Sequence, residues 1–177
     1  MEPTKKRILA VSGSTRLNSA NGVILQTIAD LYRRKSDIHI YPDLAALPHF
    51  DPGLDEAETP DIVLDFHRQI AQSDGVIICT PEYVFSLPAV LKNAIEWTVA
   101  TTLFSNKPVA LITASSSGEK AHESLIMIMK TLYARVEDEA CLLIRGVKSK
   151  IGVDKQISDP VVLNKINSTI EAFLKMV

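Results

Sequence analysis

The sequence predicts an α/β fold in which helices cover both faces of a parallel five-stranded sheet, and three observations carry that expectation. Short runs rich in Val, Ile and Leu recur at residues 7–12, 37–41, 75–80, 108–114 and 140–144. Four of them are apolar almost without interruption, the pattern of strands buried on both faces of a parallel sheet rather than half-exposed ones. Segments with helical spacing follow at residues 20–34, 61–72, 88–101, 119–135 and 160–176. Strict strand-helix alternation with right-handed crossovers folds into a doubly wound, three-layer arrangement.

Taken in order, the first run leads through a Ser- and Asn-rich loop into the first helix. The second run, DIHIY, alternates apolar and polar residues and belongs at a sheet edge. Residues 42–60 carry four prolines and are too punctuated for helix or strand throughout, so they form a surface excursion with Leu44, Leu47 and Phe50 as anchors. The helix after the fourth run contains LIMIM at residues 125–129, more apolar surface than one stripe needs. Such a run serves deep burial or a contact between subunits.

A chain of 177 residues with 46% apolar and 23% charged side chains suits one globular domain, expected to span residues 1–177. Its formal net charge of −2, with no basic stripe, provides no field for nucleic acid or an anionic membrane surface. The apolar stretch near the start is too short for a secretory signal, and no segment has the ~20 apolar residues of a membrane span, so a cytoplasmic protein is expected. Cys79 and Cys141 sit inside apolar runs and read as small core residues. His39, His49, His67 and His122 are scattered, with no pair at metal-ligand spacing, and no metal is expected.

In an open α/β sheet ligands bind beyond the carboxyl ends of the strands, where strand order reverses. The loops after the first, third and fourth strands therefore matter most. The first, SGSTRLNSAN, leads into a helix amino end, which gathers free N–H groups and partial positive charge. Ser12, Ser14, Thr15 and Ser19 add hydroxyls, Asn21 an amide and Arg16 a planar cationic fork, a set suited to a terminal monophosphate. A plain turn with a helix cap competes with that reading. Neither the Walker pattern nor the dinucleotide fingerprint is present.

The second loop carries Pro81, Glu82, Tyr83, Val84 and Phe85 before Ser86 and Pro88 open a helix. A stiff backbone presenting N–H groups beside aromatic residues suits the edge of a flat heteroaromatic ring, though a proline-stiffened connection with no ligand reads as well from this loop alone. The third loop places Ser115, Ser116 and Gly118 at the next helix start, where Gly permits close backbone approach. A solvated serine-rich turn is its alternative.

These residues resemble the NADPH-dependent FMN reductase family. Its pattern G-S-x-R-x-x-S-x-N is matched by Gly13, Ser14, Arg16, Ser19 and Asn21. Its pattern P-E-Y-N-x-S-x-P-x-x-L-K-N-A-I-D-W is matched by Pro81, Glu82, Tyr83, Ser86, Pro88, Leu91, Lys92, Asn93, Ala94, Ile95 and Trp97, and LPHFDP at residues 47–52 is similar to the family's segment after the second strand. Two positions depart: Val84 stands where the family has Asn, and Glu96 where it has Asp. Val84 removes a side-chain donor, so ring recognition leans on backbone N–H groups. The third loop has Glu119 and Lys120 where relatives often carry more glycine.

The resemblance implies a flavodoxin-like sheet of order 2-1-3-4-5, FMN as cofactor with its phosphate on the first loop, and NADPH or NADH as co-substrate. It also implies a homodimer or homotetramer. The activity implied is an NAD(P)H-dependent reductase passing electrons to a flavin, quinone or similar small acceptor. No side chain is expected to be catalytic, because the cofactor carries the hydride chemistry. A flavodoxin-type electron carrier and a non-catalytic flavin-binding protein are the alternatives.

Overall fold

β1 (Lys6–Ser12), β3 (Gly75–Thr80) and β4 (Val109–Ala114) carry Val, Ile, Leu and Ala with little interruption, and the computed structural model, which describes residues 5–177, puts both faces of each to use. Every residue of β3 and β4 is buried. β2 (Ser36–Ile40) and β5 (Cys141–Ile144) complete an all-parallel sheet in the order β2-β1-β3-β4-β5. β2 lies at an edge, as its alternation predicts. β5 is the other edge, and there the expectation of burial on both faces fails. Its residues alternate because Leu142 and Ile144 turn into the core on the α5 side, whereas Cys141 and Leu143, on the opposite face at the end of the sheet, are only half-buried. Cys141, expected in the core, is accordingly only half-buried.

Since side chains alternate across a strand, the sheet separates two cores. On one face Leu9, Val11, Val76, Ile78, Val109 and Leu111 meet Phe66 and Ile70 of α2 (Asp61–Gln72), Leu91 and Ile95 of α3 (Ala89–Glu96), and Leu125 and Met129 of α4 (Glu119–Thr131). On the other, Ile8, Ala10, Ile77, Cys79, Ala110 and Ile112 meet Ile24, Leu25 and Ile28 of α1 (Ala20–Tyr32) and Ile166, Ile170 and Phe173 of α5 (Pro160–Met176). Each fully buried Leu, Ile or Phe stabilises by about 1.5–3 kcal/mol relative to exposure.

Three helices end earlier than their spacing predicts, α1 by two residues at Tyr32 and α3 and α4 by more. After Glu96 the hydroxyls of Thr98 and Thr101 donate to Ile95 O and Thr98 O, each at 2.7 Å, and the amides of Thr98, Val99 and Thr101 turn to carbonyls three residues back. Threonine side chains here compete with the helical ladder. α4 stops in a Schellman arrangement: Tyr133 takes the left-handed conformation at φ 59°, its N–H reaches Lys130 O, and Ala134 N–H reaches Met129 O. No glycine announces that stop.

The 42–60 excursion is anchored rather than loose. Leu44 and Leu47 are buried, short 3-10 turns form at Leu44–Ala46 and Glu56–Glu58, and Phe50 meets Trp97 edge-on at 5.3 Å between centroids. Among the described residues no helix is long and apolar enough to cross a membrane.

Strand order reverses between β1 and β3, and the chain leaves β1 there through Gly13, whose N–H donates to Cys79 O at 2.8 Å. A Cβ on Gly13 would stand 2.3 Å from Thr80 Oγ1 and 2.8 Å from Thr80 Cβ. The two strand ends thus approach more closely than any side chain permits. Gly13→Ala is expected to lower unfolding stability by about 2 kcal/mol through overpacking, measured by urea denaturation.

Candidate functional site

At the exit of β1, Ser12 Oγ accepts from Ser14 N–H at 3.2 Å and donates to Ser14 O at 3.1 Å, fixing the first bend. Arg16 to Ser19 form a tight turn closed by Ser19 N–H to Arg16 O at 3.1 Å, with Asn18 at φ 57°, a conformation Asn tolerates well. Ser19 then caps α1, its Oγ accepting from Gly22 N–H at 3.1 Å while its own hydroxyl proton stays available. Among the described residues the amides of Thr15, Leu17 and Asn18 find no acceptor, and Arg16 is exposed with no carboxylate partner.

Asn21 behaves differently from a ligand-facing amide. It is buried, its Nδ2 donating to Ala114 O at 3.4 Å and its Oδ1 accepting from Cys79 Sγ at 3.2 Å, so its side chain stitches α1 to β3 and β4. Burial also holds the Cys79 thiol far above its ordinary value, and half-burial raises that of Cys141 to about 11. Both thiols are protonated and unreactive at neutral pH.

β3 leaves the sheet through buried Pro81 into a two-residue hairpin, in which Tyr83 N–H to Ser86 O and Ser86 N–H to Tyr83 O are both 3.0 Å. Val84 and Phe85 occupy its tip with φ of 51° and 55° and lie largely in solvent. The amides of Glu82, Val84 and Phe85 donate to no acceptor among the described residues.

Glu82 has a task that residue order does not reveal. Its carboxylate accepts from Gly118 N–H at 3.2 Å and Ala121 N–H at 3.0 Å, capping α4 from the loop of another strand. Its carbonyl meets Ser115 Oγ at 3.5 Å. Gly118 holds the α4 cap position at φ 103°, where a Cβ would come within 2.8 Å of Leu143. Ser115 O and Ser116 O accept from Val147 and Gly146, which ties in the loop after β5. Arg145 pairs with Glu119 beside them.

The amino ends of α1 and α4 both lie at this end of the sheet, and they differ. That of α4 is already occupied by the Glu82 carboxylate, whereas that of α1 and the turn before it keep unpartnered donors and the Arg16 charge. An anion would find its site on α1. His122, one turn into α4, shares a 2.9 Å hydrogen bond between Nδ1 and Thr113 Oγ1, and burial lowers its pKa, so the ring is neutral at pH 7. A cleft of about 360 Å³ lined by Arg7, Asp37, His39 and Gln69 opens at the opposite, amino end of the strands and includes none of these loops.

A family profile described as NADPH-dependent FMN reductase matches residues 6–146. The chain belongs to this family. This FMN reductase homologue is 28% identical to a quinone reductase of Escherichia coli over 176 residues, 96% of this chain and 94% of that one. It is 30% identical to the NADH:(hydroxy)cinnamate reductase subunit CrdA of Vibrio ruber over 172 residues, covering 94% of this chain and 84% of that one. In fold it is similar to the flavoenzyme NAD(P)H:(acceptor) oxidoreductase FerB of Paracoccus denitrificans, with a TM-score of 0.81 and 24% identity over 97% and 96% of the two chains. An archaeal flavodoxin shares the flavodoxin-like fold at a TM-score of 0.64 and 12% identity, over 96% and 98% of the two chains. As a member of the family the protein is an oxidoreductase that uses FMN and NAD(P)H.

The donor set fits FMN. Free amides, hydroxyls and Arg16 suit its phosphate, and the unpartnered hairpin amides suit the carbonyl and imide edge of its ring. The fold brings together the predicted Ser14, Thr15, Arg16, Ser19, Tyr83, Val84, Phe85, Ser115, Ser116 and Gly118 at one end of the sheet, while Ser12, Asn21, Pro81 and Glu82 serve as its frame. Motif residues read only as matches gain roles: Asn93 Nδ2 and Trp97 Nε1 both donate to Pro48 O, at 2.9 and 2.8 Å, and Asn93 Oδ1 accepts from Phe50 N–H at 2.8 Å. Glu82→Ala leaves two α4 amides uncapped and is expected to cost about 2 kcal/mol in thermal unfolding, with Glu82→Gln costing about half as much.

Proposed function

We propose that residues 1–177 act as one FMN-binding unit in which Ser14, Thr15, Arg16 and Ser19, with the free amides of the first loop, hold the phosphate. In the same reading the amides of Glu82, Val84 and Phe85 hold the ring edge, with Tyr83 beside it. Ser115, Ser116 and Gly118 border the approach of the nicotinamide. The observation that carries this reading is the unequal pair of helix amino ends: α4 is capped by the Glu82 carboxylate, whereas α1 has only the neutral Ser19 cap beside an Arg16 with no carboxylate partner among the described residues.

When bound, FMN supplies the redox chemistry, accepting hydride from NAD(P)H and passing two electrons to a small acceptor. The residues of this chain supply placement. The loops bring donor and acceptor into contact range, replacing a chance encounter with an oriented one. The buried frame of Asn21, Cys79 and Thr80 keeps the loops from collapsing onto each other. The neutral His122 adds no charge behind the third loop. The relatives' printed activities, quinone and (hydroxy)cinnamate reduction, support an organic acceptor for this chain as well.

Titration with FMN is expected to perturb the flavin spectrum, and anaerobic NADPH to bleach it. Binding without bleaching would instead favour an electron carrier or sensor, and absence of binding would overturn the reading. Arg16→Ala is expected to raise the Kd for FMN about ten-fold, the equivalent of one charged hydrogen bond.

We also place the protein in the cytoplasm, where its two free cysteines stay reduced, and read it as a homodimer or homotetramer. Supporting the assembly, LIMIM exposes Met127 while Leu125 and Met129 fill the core, and Tyr133 lies exposed nearby in the chain. Light scattering at micromolar concentration is expected to give a mass of at least two chains; a monomer mass would reject this.

A further inference from the structure

The hairpin after β3 is built against its own chemistry. Two-residue hairpins with both central residues at positive φ are type I′ turns, which draw Asn and Gly because other side chains strain there. Here the positions hold Val84 and Phe85. A β-branched residue at φ 51° is a conformational outlier, and strain of that kind persists where the surroundings enforce it. They do so here: Pro81, Leu87 and Pro88 are buried at the stem, Glu82 is fastened to α4, and the Tyr83–Ser86 pair closes the ladder with two 3.0 Å bonds.

The tip gains no burial in return. Val84 is 95% exposed, Phe85 76% and Tyr83 52%, a contiguous apolar cluster standing in water. Backbone strain opposes folding and the exposed side chains contribute no burial to offset it, so within the chain the tip is a net loss. Flavin on the Val84 and Phe85 amides compensates the backbone, and contact for the exposed side chains comes from a further molecule outside the chain. The tip projects at the carboxyl end of β3, beside the loops that gather the redox site, where oxidant and reductant both have to enter. Polar Asn, which the family pattern has at position 84, satisfies the turn without strain and offers a hydrogen bond; Val84 offers only an apolar contact.

We propose that Val84 and Phe85 form an apolar wall that selects the electron acceptor, favouring quinones with an apolar flank over small unsubstituted ones. This rests on the flavin-reductase reading. The overall balance is NADPH plus one proton plus quinone giving NADP⁺ plus hydroquinone, so the quinone gains two electrons and two protons. The wall makes and breaks no bond; it stabilises the acceptor through buried apolar contact, in proportion to the surface that acceptor presents.

The test uses Val84→Asn and Phe85→Asn, both compatible with the turn, in the intact FMN-loaded protein. The reading is the ratio of kcat/KM for menadione to that for unsubstituted benzoquinone. Because both values come from the same loaded enzyme, the shared NADPH half-reaction does not enter the ratio, and an unchanged flavin spectrum in the variants shows that the ring has kept its place. Val84→Asn is expected to lower the ratio roughly ten-fold, within the range one apolar contact contributes to discrimination. It is also expected to raise Tm as strain is relieved. Phe85→Asn is expected to lower the ratio at least as far. An unchanged ratio in both variants overturns the proposal. If NADPH bleaches the wild-type flavin but the two quinones react equally, the wall is refuted and the reductase reading stands. If NADPH fails to bleach it, the reductase reading falls and the wall with it.

Discussion

Because β1, β3 and β4 keep water from both of their faces, the helices have no choice but to divide between two layers. Right-handed crossovers then send the chain first toward β2 and afterwards back past β1 toward β3. That reversal leaves a gap between the loops after β1 and β3 which no connection fills. Gly13 sets how narrow it is, since a single methyl group at that point would collide with Thr80. The geometry of the candidate site thus descends from the burial of three strands. The same two-sided burial accounts for Asn21, a polar side chain that lies at the sheet only because Ala114 O and Cys79 Sγ answer both ends of its amide.

Electrostatics divides the labour between two similar helix ends. α1 and α4 both start at the carboxyl end of the sheet, and backbone dipoles alone would make each an anion site. Glu82 removes one of them by folding a carboxylate from a different loop onto it. What is left at α1 is an electropositive point across from an apolar hairpin. A ligand with a phosphate at one end and a flat ring at the other matches that polarity.

Much of this was legible in residue order. The five strands and the starts of all five helices follow from apolar periodicity, and the site loops follow from their position after β1, β3 and β4. The rest depends on contacts that run between distant residues. Early termination of α3 arises from threonine hydroxyls choosing nearby carbonyls, and that of α4 from Tyr133 in a conformation usually given to glycine. The exposure of β5 depends on its being last in a sheet, which periodicity does not register. Glu82 and Asn21 looked like ligand donors because the backbone groups they serve lie 36 to 39 and 93 residues away.

The carbonyl of Pro48 accepts from both Asn93 and Trp97, which binds the long excursion to the very helix that the strained hairpin enters. Its remaining stretch, from Asp51 to Thr59, rests on no comparable anchor in α3, with only local bonds such as Gly53 N–H to Asp51 and Glu58 N–H to Asp55. The two halves of this excursion are consequently under unequal structural restraint. Chain length beyond Asp51 is therefore the part of the excursion that can change at the surface with least effect on the register of α3.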